Sequence, residues 1–131
     1  MEFHIADLFE GVADAVPDRQ AIVCADTRLT FAELDERATR LAHALSKAGI
    51  KPGDHVGLYL YNGIEYLEGM LAAFKIRAVP ININFRYVEE ELYYLFDNAD
   101  LVGIIHHRAF GPRIVAVAER LPKLQIFLAV E

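Results

Sequence analysis

The sequence predicts an α/β fold. It should form a partial, doubly wound parallel sheet of about four strands with crossover helices, preceded by a helix and a β-hairpin. Three observations predict it. From His55 onward, strand-length apolar runs alternate with helical periodicity in the order β-α-β-α-β-α-β, which implies parallel strands joined by right-handed crossovers. Apolar residues make up 54% and charged residues 24% of the 131 residues, room for one packed core but not comfortably for two domains. Cys24 is the only cysteine, so no internal disulfide can replace that core, and a reducing, cytoplasmic setting is expected.

The elements follow in order. Residues 2–16 carry Ile5, Leu8, Phe9, Val12 and Val16 on one helical stripe, and Pro17-Asp18 stops it. Residues 21–25 read as a strand, Asp26-Thr27-Arg28 as a turn and Leu29-Thr30 as the return strand of a hairpin. Thr30 and Glu33 form a capping-box pattern for a long helix whose apolar face is Phe31, Leu34, Ala38, Leu41, Leu45 and Ala48, with Gly49 as its end. Lys51-Pro52-Gly53-Asp54 reads as a turn. Strands are expected over 55–61, 79–84, 101–105 and 124–130. Asn62 and Glu65 repeat the capping pattern ahead of a helix ending at Lys75. Residues 87–98 form a helix with Glu89, Glu90 and Glu91 against its N-terminal dipole, and residues 112–121 one with Pro112 in its first turn.

Composition excludes several functions. Thirteen basic against nineteen acidic residues give a net charge of −6, unsuited to nucleic acid. Uncharged runs such as 57–64 reach about eight residues, far below the ~20 of a membrane span. The N-terminus has no basic stretch followed by an apolar run, so no secretory signal is visible. Ser46, Thr27, Thr30 and Thr39 are the only hydroxyl residues of their kinds, few for a phosphate-gripping loop or a serine nucleophile. Neither a G-x-G-x-x-G fingerprint, a P-loop nor a G-x-S-x-G elbow is present. Asp54 and Asp100 precede their strands, the wrong edge for a phosphorelay receiver.

Few residues remain as candidates. His106-His107 should follow the third strand of the parallel sheet at the edge where α/β ligands bind, but neighbours on an extended segment point to opposite sides. Asn82, Asn84 and Arg86 close the preceding strand at that same edge; they could line a ligand, or Asn84 could cap the next helix and Arg86 pair with a glutamate. Cys24, Tyr93, Tyr94 and Phe96 read as packing residues and Glu89–Glu91 as a solvated helix start. These residues assemble no catalytic constellation.

Four ordered phrases resemble the start of an adenylate-forming enzyme (ANL superfamily) of the bacterial fatty-acyl-CoA synthetase type. They are PDRQAIV at 17–23, LTFAELDERATRLAHAL at 29–45, the stretch at 48–100 that runs from AGIKPGDHVGLYL to LFDNAD, and within it NFRYVEEEL at 84–92. The resemblance runs from about Ile5 to Val130. It implies that residues 1–131 are the N-terminal part of the large N-terminal domain of such a ligase, with the ATP-binding loop and C-terminal domain absent. Full-length members use ATP and Mg²⁺ to make an acyl-AMP from a fatty acid and pass the acyl group to CoA. The resemblance assigns no catalytic residue, metal ligand or cofactor contact to this chain, so no bound cofactor is expected. Its partner would be the remainder of the enzyme or a second copy through exposed apolar surface. The alternative is a stand-alone, non-catalytic α/β binding or dimerisation module. One position departs from the family pattern: Arg77 stands where a glycine usually precedes Ala-Val, so strain or a local change is expected there.

Overall fold

A computed structural model describes residues 3–131; the expected helix start at Glu2 lies outside the described residues. The chain runs α1 (Ile5–Ala15), β1 (Gln20–Cys24), β2 (Thr27–Thr30), α2 (Phe31–Ala48), β3 (His55–Tyr59), α3 (Ile64–Lys75), β4 (Val79–Asn82), α4 (Glu89–Asn98), β5 (Leu101–His107), a 3₁₀ turn (Arg108–Phe110), α5 (Gly111–Ala118) and β6 (Ile126–Val130). β1 and β2 form an antiparallel hairpin. The other four strands form one parallel sheet in the order β4-β3-β5-β6.

That order explains the layers. The chain steps one way from β3 to β4, then back past β3 to β5 and on to β6. Right-handed crossovers in opposite directions put α3 on one face and α4 and α5 on the other. The burial agrees. Val56, Leu58 and Leu60 pack with Ala42, Leu45, Ala72 and Ala73 of α2 and α3. Tyr59 packs with Leu92 and Phe96 of α4 and Ile114 and Val117 of α5. Residues of β3 therefore alternate between two apolar layers, which is why its sequence is a continuous apolar run. A third cluster, Leu29, Leu34, Ala38, Ile64 and Leu71, ties the hairpin to α2 and α3.

The helix ends show which local signals hold. At α2 the Thr30 hydroxyl accepts from the Glu33 N–H at 3.1 Å, and the Glu33 carboxylate accepts from the Thr30 N–H at 2.9 Å. Gly49 ends the helix at φ +114°, a conformation that suits glycine. Thr30→Ala removes the cap and is expected to lower stability by about 1 kcal/mol in urea unfolding. The Thr30 N–H, and secondly its hydroxyl, hold the Glu33 carboxyl below its ordinary range. A lowered carboxyl stabilises the fold at neutral pH and loses that contribution as pH falls through its folded value. Alanine keeps the backbone N–H and loses only the hydroxyl's share, so the gap between wild type and Thr30→Ala should narrow only slightly in acid.

Other local signals fail. The second capping pattern does not form: α3 takes Gly63 as its N-cap, with no side-chain cap. Glu65 is thus the second helical residue, one position short of where a capping-box carboxylate sits. α4 begins at Glu89 rather than Tyr87, because the Tyr87 carbonyl accepts from the Tyr59 hydroxyl at 2.7 Å and Val88 remains extended. Asn84 caps no helix; its side-chain oxygen accepts the Arg86 N–H at 2.9 Å in a local turn. Arg86 lies 5.7 Å from the Phe85 ring rather than against a glutamate. β5 runs on through His106 and His107, so both belong to the strand instead of following it. His4 caps α1: its Nδ1 accepts from the Ala6 N–H at 3.0 Å while the Asp7 carboxylate accepts from the His4 N–H at 3.1 Å.

Candidate functional site

In an open α/β sheet the ligand crevice lies beyond the carboxyl ends of the strands, where the connections diverge to opposite faces. Here that point is between β3 and β5. The chain leaves β3 through Leu60, Tyr61 and Asn62 toward α3, and leaves β5 through the 3₁₀ turn toward α5. An open groove of about 330 Å³ sits at this edge, lined by Leu60, Asn62, Tyr66 and residues 82–86. Three amides, a phenol and one guanidinium supply its polar groups. Burial pushes the Tyr66 phenol up, opposed by a hydrogen bond with the Ile83 backbone.

An aromatic cluster forms the adjoining wall. The Tyr61 ring lies 4.8 Å from Phe110, 5.2 Å from Phe85 and 5.3 Å from His107. The Tyr61 N–H donates to His107 Nδ1 at 3.0 Å, which stitches the end of β5 to the segment leaving β3. His106 turns the other way. It is buried, its Nδ1 donates to the His107 carbonyl at 2.9 Å, and it lies beside Ile114 and Phe127. The two histidines therefore do not converge, as their adjacency on a strand requires.

The loop that carries Asn84 and Arg86 is clamped from below. Tyr59, fully buried, donates its hydroxyl to the Tyr87 carbonyl. Arg113 of α5 donates to the Tyr59 oxygen at 3.1 Å and to the Phe85 carbonyl at 3.1 Å. The hydrogen bond to Tyr59 raises the affinity of this guanidinium for its proton. Sequence reading missed Tyr59, Tyr61 and Arg113. Arg113 is 54 residues from Tyr59, and no local pattern reports such a contact.

The remaining candidates are structural. Cys24 is half-buried against the hairpin cluster and Glu89–Glu91 are exposed. Tyr93 lies under the Arg120 guanidinium at 3.8 Å, Tyr94 is exposed and Phe96 is buried. Among the described residues no three His, Cys, Asp or Glu side chains are grouped to hold a metal ion. Thr27, Thr30, Thr39 and Ser46 all sit on β2 and α2, away from the strand ends that form the groove. The serine and threonine hydroxyls therefore lie outside the groove. The groove offers amides, a phenol and a guanidinium, and among its lining residues no nucleophile is paired with a base.

Arg77 lies at the amino edge. It occupies the left-handed region at φ +63°, and its N–H and that of Ala78 close the end of α3 onto Phe74 and Ala73. An L-residue in this conformation costs about 1–2 kcal/mol relative to glycine. The loop has therefore kept the geometry a glycine would give, and Arg77 carries the strain. No helix among the described residues is long and apolar enough to cross a membrane.

Comparison with known proteins supplies what the groove alone does not. The family described as AMP-binding enzyme matches residues 9–131. The 3-oxocholest-4-en-26-oate–CoA ligase of Rhodococcus rhodochrous is 47% identical over the whole chain, which spans 24% of that relative. The medium/long-chain-fatty-acid–CoA/3-oxocholest-4-en-26-oate–CoA ligase of Mycobacterium marinum is 49% identical over 98% of the chain and 23% of the relative. The crystal structure of the N-terminal domain of FACL13 from Mycobacterium tuberculosis superposes with a TM-score of 0.91 at 25% identity, over 98% of this chain and 34% of that one. The chain thus spans about a quarter of the length of these curated relatives. The ordered phrases, the parallel sheet and the match over 9–131 agree, and the chain belongs to the AMP-binding enzyme family.

Proposed function

We propose that this chain is the N-terminal part of the large N-terminal domain of an ATP-dependent fatty-acid–CoA ligase, and that it serves as scaffold rather than catalyst. The observation that carries the proposal is a pairing. The full length of the chain aligns with a CoA ligase, while none of its serines or threonines lines the groove and no three potential metal ligands are grouped among the described residues. In the whole enzyme, ATP and Mg²⁺ would activate the fatty acid as an acyl-AMP, and CoA would take up the acyl group. The residues here would contribute the sheet, the clamped loop from Phe85 to Tyr87 and one wall of the groove. Catalytic groups, ATP contacts and metal ligands would all come from the remainder of the enzyme, which is the partner this chain requires.

ATP–pyrophosphate exchange tests this reading. The purified chain, given Mg²⁺ and a panel of medium- and long-chain fatty acids, should show no exchange above background. A polypeptide that continues this sequence to the length of the relatives should show it. Exchange by the 131-residue chain alone would overturn the assignment as scaffold. A full-length protein that activates no carboxylic acid would overturn the assignment as a ligase.

A further inference from the structure

We infer that Arg77 is a latch that holds α1 onto the rest of the fold, and that its strained backbone persists because its side chain does this. Two independent features of the structure meet here. The first is backbone: the turn after α3 requires a left-handed residue, which glycine supplies without strain, yet an arginine occupies it. The second is side chain: the Arg77 guanidinium reaches across to α1, donating to the Asp7 carboxylate at 3.1 Å and lying 3.4 Å from His4 Nδ1, while it also donates to the Phe74 carbonyl at 3.1 Å. Glycine can make none of these contacts.

The contacts fall on the groups that build the start of α1. Asp7 and His4 are the two halves of its capping box. The His4 backbone N–H, and then the Arg77 side chain, hold the Asp7 carboxyl below its ordinary range. The Phe74 ring meets the His4 imidazole edge-on at 5.9 Å. One turn further along, Lys75 makes a parallel tie, at 3.4 Å from Glu10 on α1 and 2.6 Å from Asp35 on α2. Such ties matter because α1 has little apolar anchorage. Only Ala6 and Ala13 of the helix are buried, Phe9 is partly so, and Ile5, Leu8 and Val12 face outward. A helix with so small a buried face opens locally before the sheet does.

Amide hydrogen exchange on the 131-residue chain tests the latch. Arg77→Gly suits the left-handed turn, so the variant should fold. In it the α1 amides should exchange roughly three- to tenfold faster, the size expected for loss of a partly exposed ion pair and a disturbed cap. The amides of β3 and β5 should exchange no faster. Arg77→Asn, which also tolerates the turn, should behave as Arg77→Gly does, and Arg77→Lys should retain part of the protection. About 1 M NaCl should loosen α1 more in the wild type than in Arg77→Gly, where only the Lys75–Glu10 pair is left for salt to screen. Unchanged α1 protection in Arg77→Gly, or equal acceleration throughout the sheet, would overturn the inference.

Discussion

Phe96→Ala is expected to lower the stability of this chain by about 3–5 kcal/mol, the range for deleting a buried aromatic ring from a packed core. Phe96 is 1% exposed on α4 and meets the Tyr59 ring edge-on, 6.5 Å between centroids. Tyr59 in turn stacks on Phe110 at 4.4 Å. The ring thus sits in the layer that holds α4 against the sheet, among Leu92, Leu101 and Ile114. Collapse into the vacated volume would have to move Tyr59, whose hydroxyl is fixed by the Tyr87 carbonyl and Arg113, so relaxation should be limited. A domain of this size has only some 5–15 kcal/mol in total, so the loss takes a large share. Urea unfolding should show a much lower midpoint at an unchanged slope. A loss below about 1 kcal/mol would mean that α4 is not packed as described.

Much of this fold was legible because its signals are local or periodic. The Thr30–Glu33 box, the Gly49 stop and the β-α alternation each depend on residues within one or two turns of one another, and each is found where it was read. Apart from the local cap signals at Asn62 and Asn84, the errors share a physical cause: contacts distant in sequence overrode local preference. Tyr87 looked helical, but Tyr59, 28 residues earlier, holds its carbonyl. Asn84 looked like a cap, but a turn within the loop used its side chain first. His106 and His107 looked like a loop after a strand, yet pairing with Ala129 and Val130 of β6 carries β5 through them. The groove was half legible. Asn82, Asn84 and Arg86 were placed at the correct edge by topology alone, while Tyr61, Tyr66 and the Arg113 clamp come from other segments and left no pattern in the sequence. Arg77 is the converse case. Its departure from a glycine pattern could be seen in the sequence, but its reach to Asp7, 70 residues away, could not.

Gly57→Val should destabilise the sheet by about 1–3 kcal/mol, the usual range for overpacking. Gly57 lies at the centre of β3, paired with Ile81 on one side and Ile104 on the other. A β-carbon there would fall 2.6 Å from Ile83 Cδ1 and 2.8 Å from Leu101 Cδ1. Both are the ends of flexible side chains, so a single methyl can be met by rotation, and Gly57→Ala should be the milder change. Valine adds two further methyl groups, and the displaced Ile83 and Leu101 would be pushed into a layer already filled by Tyr59, Leu92 and Phe96. Valine is a good strand former, so intrinsic preference works in favour of the variant while packing works against it. The sign of the measured change therefore tells which governs this position. Destabilisation that grows from alanine to valine in urea unfolding would show that the glycine is kept for the close approach of its neighbours. A neutral or stabilising valine would show that the layer between β3 and α4 is looser than its burial implies, and would equally reduce the loss expected for Phe96→Ala.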